Sequence, residues 1–451
     1  MKEETMAETI SEIQDYMDRN RSLLLEDWFS LIRHKSVSAT GEGIPECCAW
    51  LKDRMEASGI QVTKEPVEPY PLLIGRLGQN PSKKTVLIYA HYDVKPAGDL
   101  AEWHSDPFEP TVRDGKVFAR GSADNKSPLM AHLEAVRYYQ ETGRSLPVNL
   151  LFVFEGCEEE GSTGLPEFLQ EHKNDLEADL VFFSDGPKDP SNRPIIALGA
   201  KGDINIRLSV KTMNRHVHAR YAPVLPSAAW KLVEILHGMK QGDKVLIPGF
   251  YDGILPLSDA EKHLLEKLPA SEEALDEMYD AKPQHLGKDF YPRLLGQPTF
   301  NICWIRSGAN GVVPAEAEAL LDIRLVPGQK PLEIFQKVKD YIASLDDPGV
   351  TVTLEDGYLE PSKTPVDTPF LPAIETVTRE IYGSYVIYPC RPSSAPDYLW
   401  TNILGLPAIQ VRWSDADSDN HAPNEHLSID EYFKGIALTI KVLDALGSDR
   451  P

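Results

Sequence analysis

Two rhythms of hydrophobic and polar residues run along this chain, and the first returns after the second. Val86–Ala90, Val148–Phe154 and Leu180–Phe183 are continuous apolar runs, the pattern of strands buried on both faces. Between them apolar residues recur at helical intervals: Ile10, Ile13 and Met17, then Leu23 to Ile32, in one or two helices over residues 6–34. Further helices are predicted over Pro45–Ser58, stopped by Gly59, and over Ser127–Thr142 and Leu165–His172. Gln61–Val67 and Pro71–Arg76 read as short strands, and Thr111–Ala119 as a hairpin turning at Asp114-Gly115. Strands alternating with helices predict an α/β, doubly wound sheet with parallel strands.

The second rhythm begins after the Pro-rich link Lys188–Pro194. Ile204, Ile206, Leu208 and Val210 alternate with polar residues, as in a half-exposed strand. A helix from Ser227 to Met239 follows, then a mostly polar stretch over 240–298 with helical pieces at Ala260–Lys267 and Glu272–Tyr279. Strands Thr299–Trp304 and Ala317–Leu325, a helix Leu332–Leu345 and a strand Val350–Leu354 complete a split βαβ, ferredoxin-like α+β pattern. From Phe370 the first rhythm resumes, with a helix to Tyr382, another near Asp397–Asn402, a strand Ala408–Trp413 and a last helix Ile429–Leu446. The predicted organisation is a first domain formed by 1–201 and 363–451, interrupted by an inserted domain at 202–362.

With 451 residues, two or three cores are expected. The 46 basic against 69 acidic residues give a net charge of −23, the wrong sign for nucleic acid or an anionic membrane. The 5 cysteines are scattered, with no C-x-x-C, which disfavours a disulfide framework and a thiolate zinc finger. Met1–Met17 is acidic and lacks the apolar segment of a signal peptide, and no stretch approaches the ~20 apolar residues of a membrane span. A reducing, cytoplasmic setting is the expectation.

The candidate chemistry lies where the predicted strands end. His91 and Asp93, Glu158 and Glu159, Asp185 and His421 follow strands, and Asp124 sits in a loop. In open α/β sheets, functional groups collect at such ends. Two histidines with several carboxylates suit a pair of divalent metals, with one carboxylate bridging and another, not a ligand, acting as base. Taken singly, each has a plainer reading. Glu158-Glu159-Glu160 could be a solvated charge run, Asp185 a turn residue, His421 a surface histidine and Asp124-Asn125 the start of a helix. Their joint fall on the ends of one sheet favours the metal site. No G-x-S-x-G, H-E-x-x-H, P-loop or G-x-G-x-x-G is present, and Cys157 reads as packing.

The segments Tyr89-Ala90-His91-Tyr92-Asp93-Val94-Lys95-Pro96, Trp103-His104-Ser105-Asp106-Pro107-Phe108, Arg120-Gly121-Ser122-Ala123-Asp124-Asn125-Lys126, Phe154 to Ser162 and Asp419 to Glu425 resemble, in order, the di-zinc metallopeptidases. That family includes carboxypeptidase G, aminoacylase, acetylornithine deacetylase and the cytosolic non-specific (carnosine-type) dipeptidases; the Trp-x-x-Asp-Pro-Phe segment resembles the dipeptidase branch. The resemblance implies two divalent metal ions per subunit, zinc foremost, with manganese or cobalt as alternatives. His91, Asp124 and Asp185 would hold one ion, and Glu159, Asp124 and His421 the other, with Asp124 bridging. Asp93 would orient His91, Glu158 would be the general base, and the Asp124-Asn125 peptide would be cis. The inserted domain would be a lid and dimerisation domain, in which Asn310 or Gly311, Arg324 and Ser394 hold the substrate and a histidine stabilises the oxyanion. The family's Asp-(Leu or Val)-His-Ser appears here as His216-Val217-His218-Ala219, so His218 or His216 could be that residue. Arg324 reads equally as a strand-face ion-pair residue. The implied activity is hydrolysis of dipeptides or short peptides by a homodimer; alternatives are an N-acyl-amino-acid deacylase and a non-catalytic peptide-binding relative.

Overall fold

The uninterrupted apolar runs become the middle of one sheet. The computed structural model describes residues 2–268, 272–280 and 286–448. It divides into two units, one of residues 1–198, 364–388 and 399–451, the other of residues 199–363 and 389–398. The break points lie close to those expected at 202 and 362, but Pro389–Tyr398, expected in the first domain, belongs to the second unit. The cause is pairing: Arg391–Ser394 forms a strand parallel to Ala200–Lys211.

In the first unit an eight-stranded sheet runs in the order Gln61–Glu65, Leu72–Leu77, Asn149–Glu155, Thr85–His91, Leu180–Phe183, Ala408–Arg412, Ile195–Ala197, Val386–Tyr388. The four strands from Asn149–Glu155 to Ala408–Arg412 are mutually parallel. They end at one edge, which is where the candidate residues follow. The strands on either side join them antiparallel, so the sheet is mixed. Asn149–Glu155 and Leu180–Phe183 are buried throughout, which is why their sequences show no alternation.

Lys2–Arg33 is a single helix. It packs with Lys126–Thr142 and Ile429–Ser448, and Trp28 stacks on Tyr432 at 4.5 Å between ring centres. The ammonium of buried Lys126 donates to the Leu31, His34 and Lys35 carbonyls. These carbonyls lie in the last turn of the helix and just beyond it, where the helix supplies fewer partners of its own. This lysine therefore fixes the start of its own helix, directly after Asp124-Asn125, against the end of the first helix. Gly156 is required by packing: a Cβ there would lie 2.5 Å from the Tyr92 ring.

The second unit carries a sheet in which Asn301–Ser307, Glu316–Leu325, Ala200–Lys211 and Val350–Leu359 lie in that order, each antiparallel to its neighbour, with Arg391–Ser394 added in parallel on Ala200–Lys211. Helices Ala228–Met239 and Pro331–Ala343 cover one face. In chain order this is βαββαβ, the expected ferredoxin-like pattern. Its core is the alternating set Ile204, Ile206, Leu208 and Val210 with Ala317, Ala319, Leu321 and Ile323. The strand predicted at Thr299–Trp304 lies further on, at Asn301–Ser307, with an irregularity between Ile302 and Trp304.

Candidate active site

At the carboxyl edge of the first unit's sheet, chain reversals deliver the polar residues in turn. His91 is the last residue of its strand, and Asp93 follows in the adjoining loop. Glu158 and Glu159 lie on a short 3-10 turn after Asn149–Glu155. Asp185 follows Leu180–Phe183. His421 comes from the loop after Ala408–Arg412, in which Asp419, His421 and Asn424 have φ of 53°, 64° and 65°. Non-glycine residues seldom adopt this left-handed backbone. The Asp124–Asn125 peptide is cis.

Asp124 is the centre of the arrangement. Its Oδ1 lies 3.1 Å from His91 Nε2 and its Oδ2 lies 3.1 Å from His421 Nε2. The same His421 nitrogen is 3.1 Å from Glu159 Oε2. Among the described residues, donor atoms of His91, Asp124 and Asp185 fall within 4.8 Å of one another, and so do those of Asp124, Glu159 and His421. Asp124 is common to both groups. Glu158 stands outside both, with Oε2 3.9 Å from His91 Nε2.

His91 Nε2 is buried and makes no hydrogen bond despite the nearby carboxylate oxygen. An imidazole nitrogen and a carboxylate oxygen that approach without sharing a proton suit a common cation between them. The electrostatics agree. Burial pushes the Glu158 carboxyl well above its ordinary range; His91 opposes this, while Asp185, Glu159 and Asp124 add to it. Hydrogen bonds to Asp124 and then Glu159 draw His421 up to about 10. Burial works against the protonated form of His91, yet Glu158, Asp124 and Asp93 outweigh it and raise its pKa. A pocket that draws positive charge onto its histidines, built from imidazole and carboxylate donors, fits divalent cations.

Asp93 touches both His91 and the turn that carries Glu158 and Glu159. The hydrogen bond at 3.2 Å from His91 Nδ1 goes to the Asp93 main-chain carbonyl, with the carboxylate at 3.4 Å. The carboxylate accepts instead the backbone N–H of Glu158 at 3.2 Å and of Glu159 at 3.1 Å. It thus joins two strand ends. A second buried carboxylate, Glu425, received no role from the sequence. It accepts Arg120 Nη1 at 2.6 Å and the N–H groups of Gly121, Ala123 and Asp124 at 3.0, 2.9 and 3.0 Å. Its place in the matched segment Asp419–Glu425 was the available signal. Asn125 donates to the Ser184 carbonyl and Gln410 to the Asp185 carbonyl, which ties these loops together.

The second unit holds the remaining candidates in two pairs. Val217–His218 pairs with Val312–Val313, and the Ala219 N–H reaches the Gly311 carbonyl at 2.8 Å, so His218 and the Asn310–Gly311 turn are neighbours. His218 is exposed, and its Nδ1 accepts the Arg220 N–H at 3.1 Å. His216 Nδ1 accepts the Ala315 N–H at 2.9 Å. Arg324 is engaged through Nε and Nη2 by Asp322, at 3.0 and 2.8 Å, and its Nη1 donates to Ser394 Oγ at 2.9 Å. The ion-pair reading of Arg324 is therefore realised, and in a form that also brings Arg324 to Ser394.

Among the described residues no helix is long and apolar enough to cross a membrane. The chain is similar to the Cys-Gly metallodipeptidase of Schizosaccharomyces pombe, with 29% identity over 418 residues that cover 87% of this chain and 86% of the relative. It is 27% identical over 389 residues to the human Beta-Ala-His dipeptidase, covering 82% and 76% of the two chains. Among solved structures, an M20 family metallo-carboxypeptidase from Sulfolobus solfataricus has a TM-score of 0.85 at 31% identity, covering 94% of this chain and 99% of that one. The model of peptidase family M20/M25/M40 matches residues 87–445. The chain belongs to peptidase family M20/M25/M40 and is a metallopeptidase.

Proposed function

We propose that this protein hydrolyses the amide bond of dipeptides or short peptides next to a free carboxylate. The observation that carries the reading is Asp124, shared by two three-donor groups while Glu158 stands beside them uncommitted. His91, Asp124 and Asp185 would hold one divalent cation, and Asp124, Glu159 and His421 a second; zinc suits these donors, and manganese or cobalt is an alternative. Such cations, when bound, make a water more acidic and polarise a carbonyl. Glu158 accepts the proton of the attacking water and returns it to the leaving nitrogen. Asp93 holds the backbone of Glu158 and Glu159, and so fixes where the base and its neighbouring ligand point.

In the inserted unit, Asn310, Arg324 and Ser394 receive the substrate. The Asp322 carboxylate and Ser394 keep the Arg324 fork from swinging, a preorganisation useful for planar carboxylate recognition. With Nδ1 of His218 accepting a hydrogen bond, Nε2 carries the ring hydrogen, the form that donates to an oxyanion. The protein acts as a homodimer through this lid, with His218 of one subunit serving the site of its mate. In support, Asn301–Ser307 is an edge strand that leaves Ile302 and Ile305 exposed, and Trp230 on helix Ala228–Met239, which packs on the neighbouring strand Glu316–Leu325, is 71% exposed. A cytoplasmic setting accords with five unpaired cysteines, one of them exposed.

The curated relatives are named as dipeptidases, whereas the Sulfolobus structure is titled a metallo-carboxypeptidase. A deacylase of N-acyl amino acids would use the same chemistry. Zinc-loaded protein assayed against dipeptides, longer peptides and N-acetyl amino acids separates these. The expected result is the highest kcat/KM on dipeptides. Preference for longer peptides or for N-acetyl amino acids would move the assignment to a carboxypeptidase or a deacylase, and no turnover of any would overturn the enzymatic reading.

A further inference from the structure

Asp124, the residue common to both donor groups, is held through its backbone by a single carboxylate 301 residues further along the chain. Glu425 is fully buried, and each of its oxygens accepts two donors. Oε2 takes Arg120 Nη1 and the Gly121 N–H, and Oε1 takes the N–H groups of Ala123 and Asp124. Without that carboxylate, the loop N–H groups of Gly121, Ala123 and Asp124 would point into a buried space with no acceptor, and the loop would have to turn to satisfy them. Glu425 also lies four residues beyond His421 on one continuous loop, and its own carbonyl accepts the Ala119 N–H at 3.0 Å. A further strut comes from Asn420, whose Nδ2 donates to Asp124 Oδ2 at 3.2 Å.

The His421 loop and the Asp124 loop are therefore one clasp, with Glu425 as its pin. We infer that Glu425 is a positioning residue that sets the shared carboxylate of Asp124 and the His421 imidazole relative to each other, so that both cation positions depend on it. The inference rests on the assignment of Asp124 as shared ligand.

In Glu425→Gln the amide supplies one acceptor oxygen and, in place of the other, an NH2 that opposes two of the four donors the carboxylate satisfies. The experiment compares metal-free unfolding temperature with zinc affinity, measured by titration against a competing chelator, for wild type and Glu425→Gln. The expectation is that the metal-free variant still unfolds cooperatively while zinc affinity falls roughly 10–100-fold at both positions, the range typical for loss of a group that orients ligands. A merely structural role would lower the metal-free unfolding temperature and leave zinc affinity within twofold; that result overturns the inference, as does weakening at one position alone. Arg120→Lys, which keeps the charge beside Glu425 but not the guanidinium contact, is the second variant. If Glu425→Gln fails to fold, weakening of both positions in Arg120→Lys supports the inference, and unchanged binding overturns it. Wild type that binds no zinc would instead refute the shared-ligand assignment itself, and this inference with it.

Discussion

Replacing Asp93 by asparagine isolates one connection in the site. The carboxylate oxygens of Asp93 accept the Glu158 N–H at 3.2 Å and the Glu159 N–H at 3.1 Å. Asparagine keeps one acceptor and turns the other into an NH2 that opposes a buried N–H. The His91 Nδ1 hydrogen bond goes to the Asp93 carbonyl, which the substitution leaves in place. His91 therefore keeps its tautomer, and metal content should stay near that of wild type. A hydrogen bond to a charged group is worth about 1.5–3 kcal/mol. If losing it misplaces Glu158 only as the reaction proceeds, kcat/KM on a dipeptide falls roughly 10–160-fold, at 1.36 kcal/mol per tenfold. The assay is steady-state hydrolysis with metal measured by elemental analysis on the same preparation. Asp93→Asn with full metal and kcat/KM within about threefold of wild type would refute the reasoning. A variant that loses metal would show that the carboxylate also sets a metal ligand, through His91 or through the Glu159 backbone.

Three further outcomes are expected. Glu158→Ala should retain its metal and lose turnover, whereas Asp124→Ala should lose metal from both positions; elemental analysis showing depleted Glu158→Ala would reverse the roles assigned to Glu158 and Glu159. Mixing Glu158→Ala with His218→Ala and allowing subunits to exchange should restore some activity, because one site of the mixed dimer then has both its base and its partner histidine; exchanged protein without recovery would mean that His218 does not act across subunits. His132 is buried against Thr439, and burial holds its pKa at about 3 against the ordinary 6.5. Between these values the unfolded chain binds a proton that the folded chain refuses, so stability is present above pH 6.5 and is lost as pH falls, by about 2 kcal/mol at pH 5. Burial also lifts Glu134 and Glu155 to about 7, with the opposite dependence, so the histidine is read from the difference between wild type and His132→Leu. Urea denaturation at pH 7.5 and pH 5 should show the variant losing less stability than wild type, and parallel losses would contradict the prediction.

From the sequence by itself, the central strands and the residues at their ends were legible. A strand covered on both faces has no polar position to offer, so Thr85–His91, Asn149–Glu155 and Leu180–Phe183 declare themselves as apolar runs, and the first polar residues after each stand at the sheet edge. The alternation in Ala200–Lys211 likewise declares a strand with one covered face. Tertiary structure alone decided the short elements. Ile195–Ala197, Val386–Tyr388 and Arg391–Ser394 are too brief to show any period, and each is a strand only because a distant partner completes its hydrogen bonds. That is why Pro389–Tyr398 lies in the inserted unit although the surrounding chain does not. The same holds for the groups that support the site. Asp93, Arg120 and Glu425 act through backbone N–H groups and carbonyls, which every residue carries and no sequence pattern marks. Which of these a buried carboxylate meets is settled only when loops hundreds of residues apart pack together.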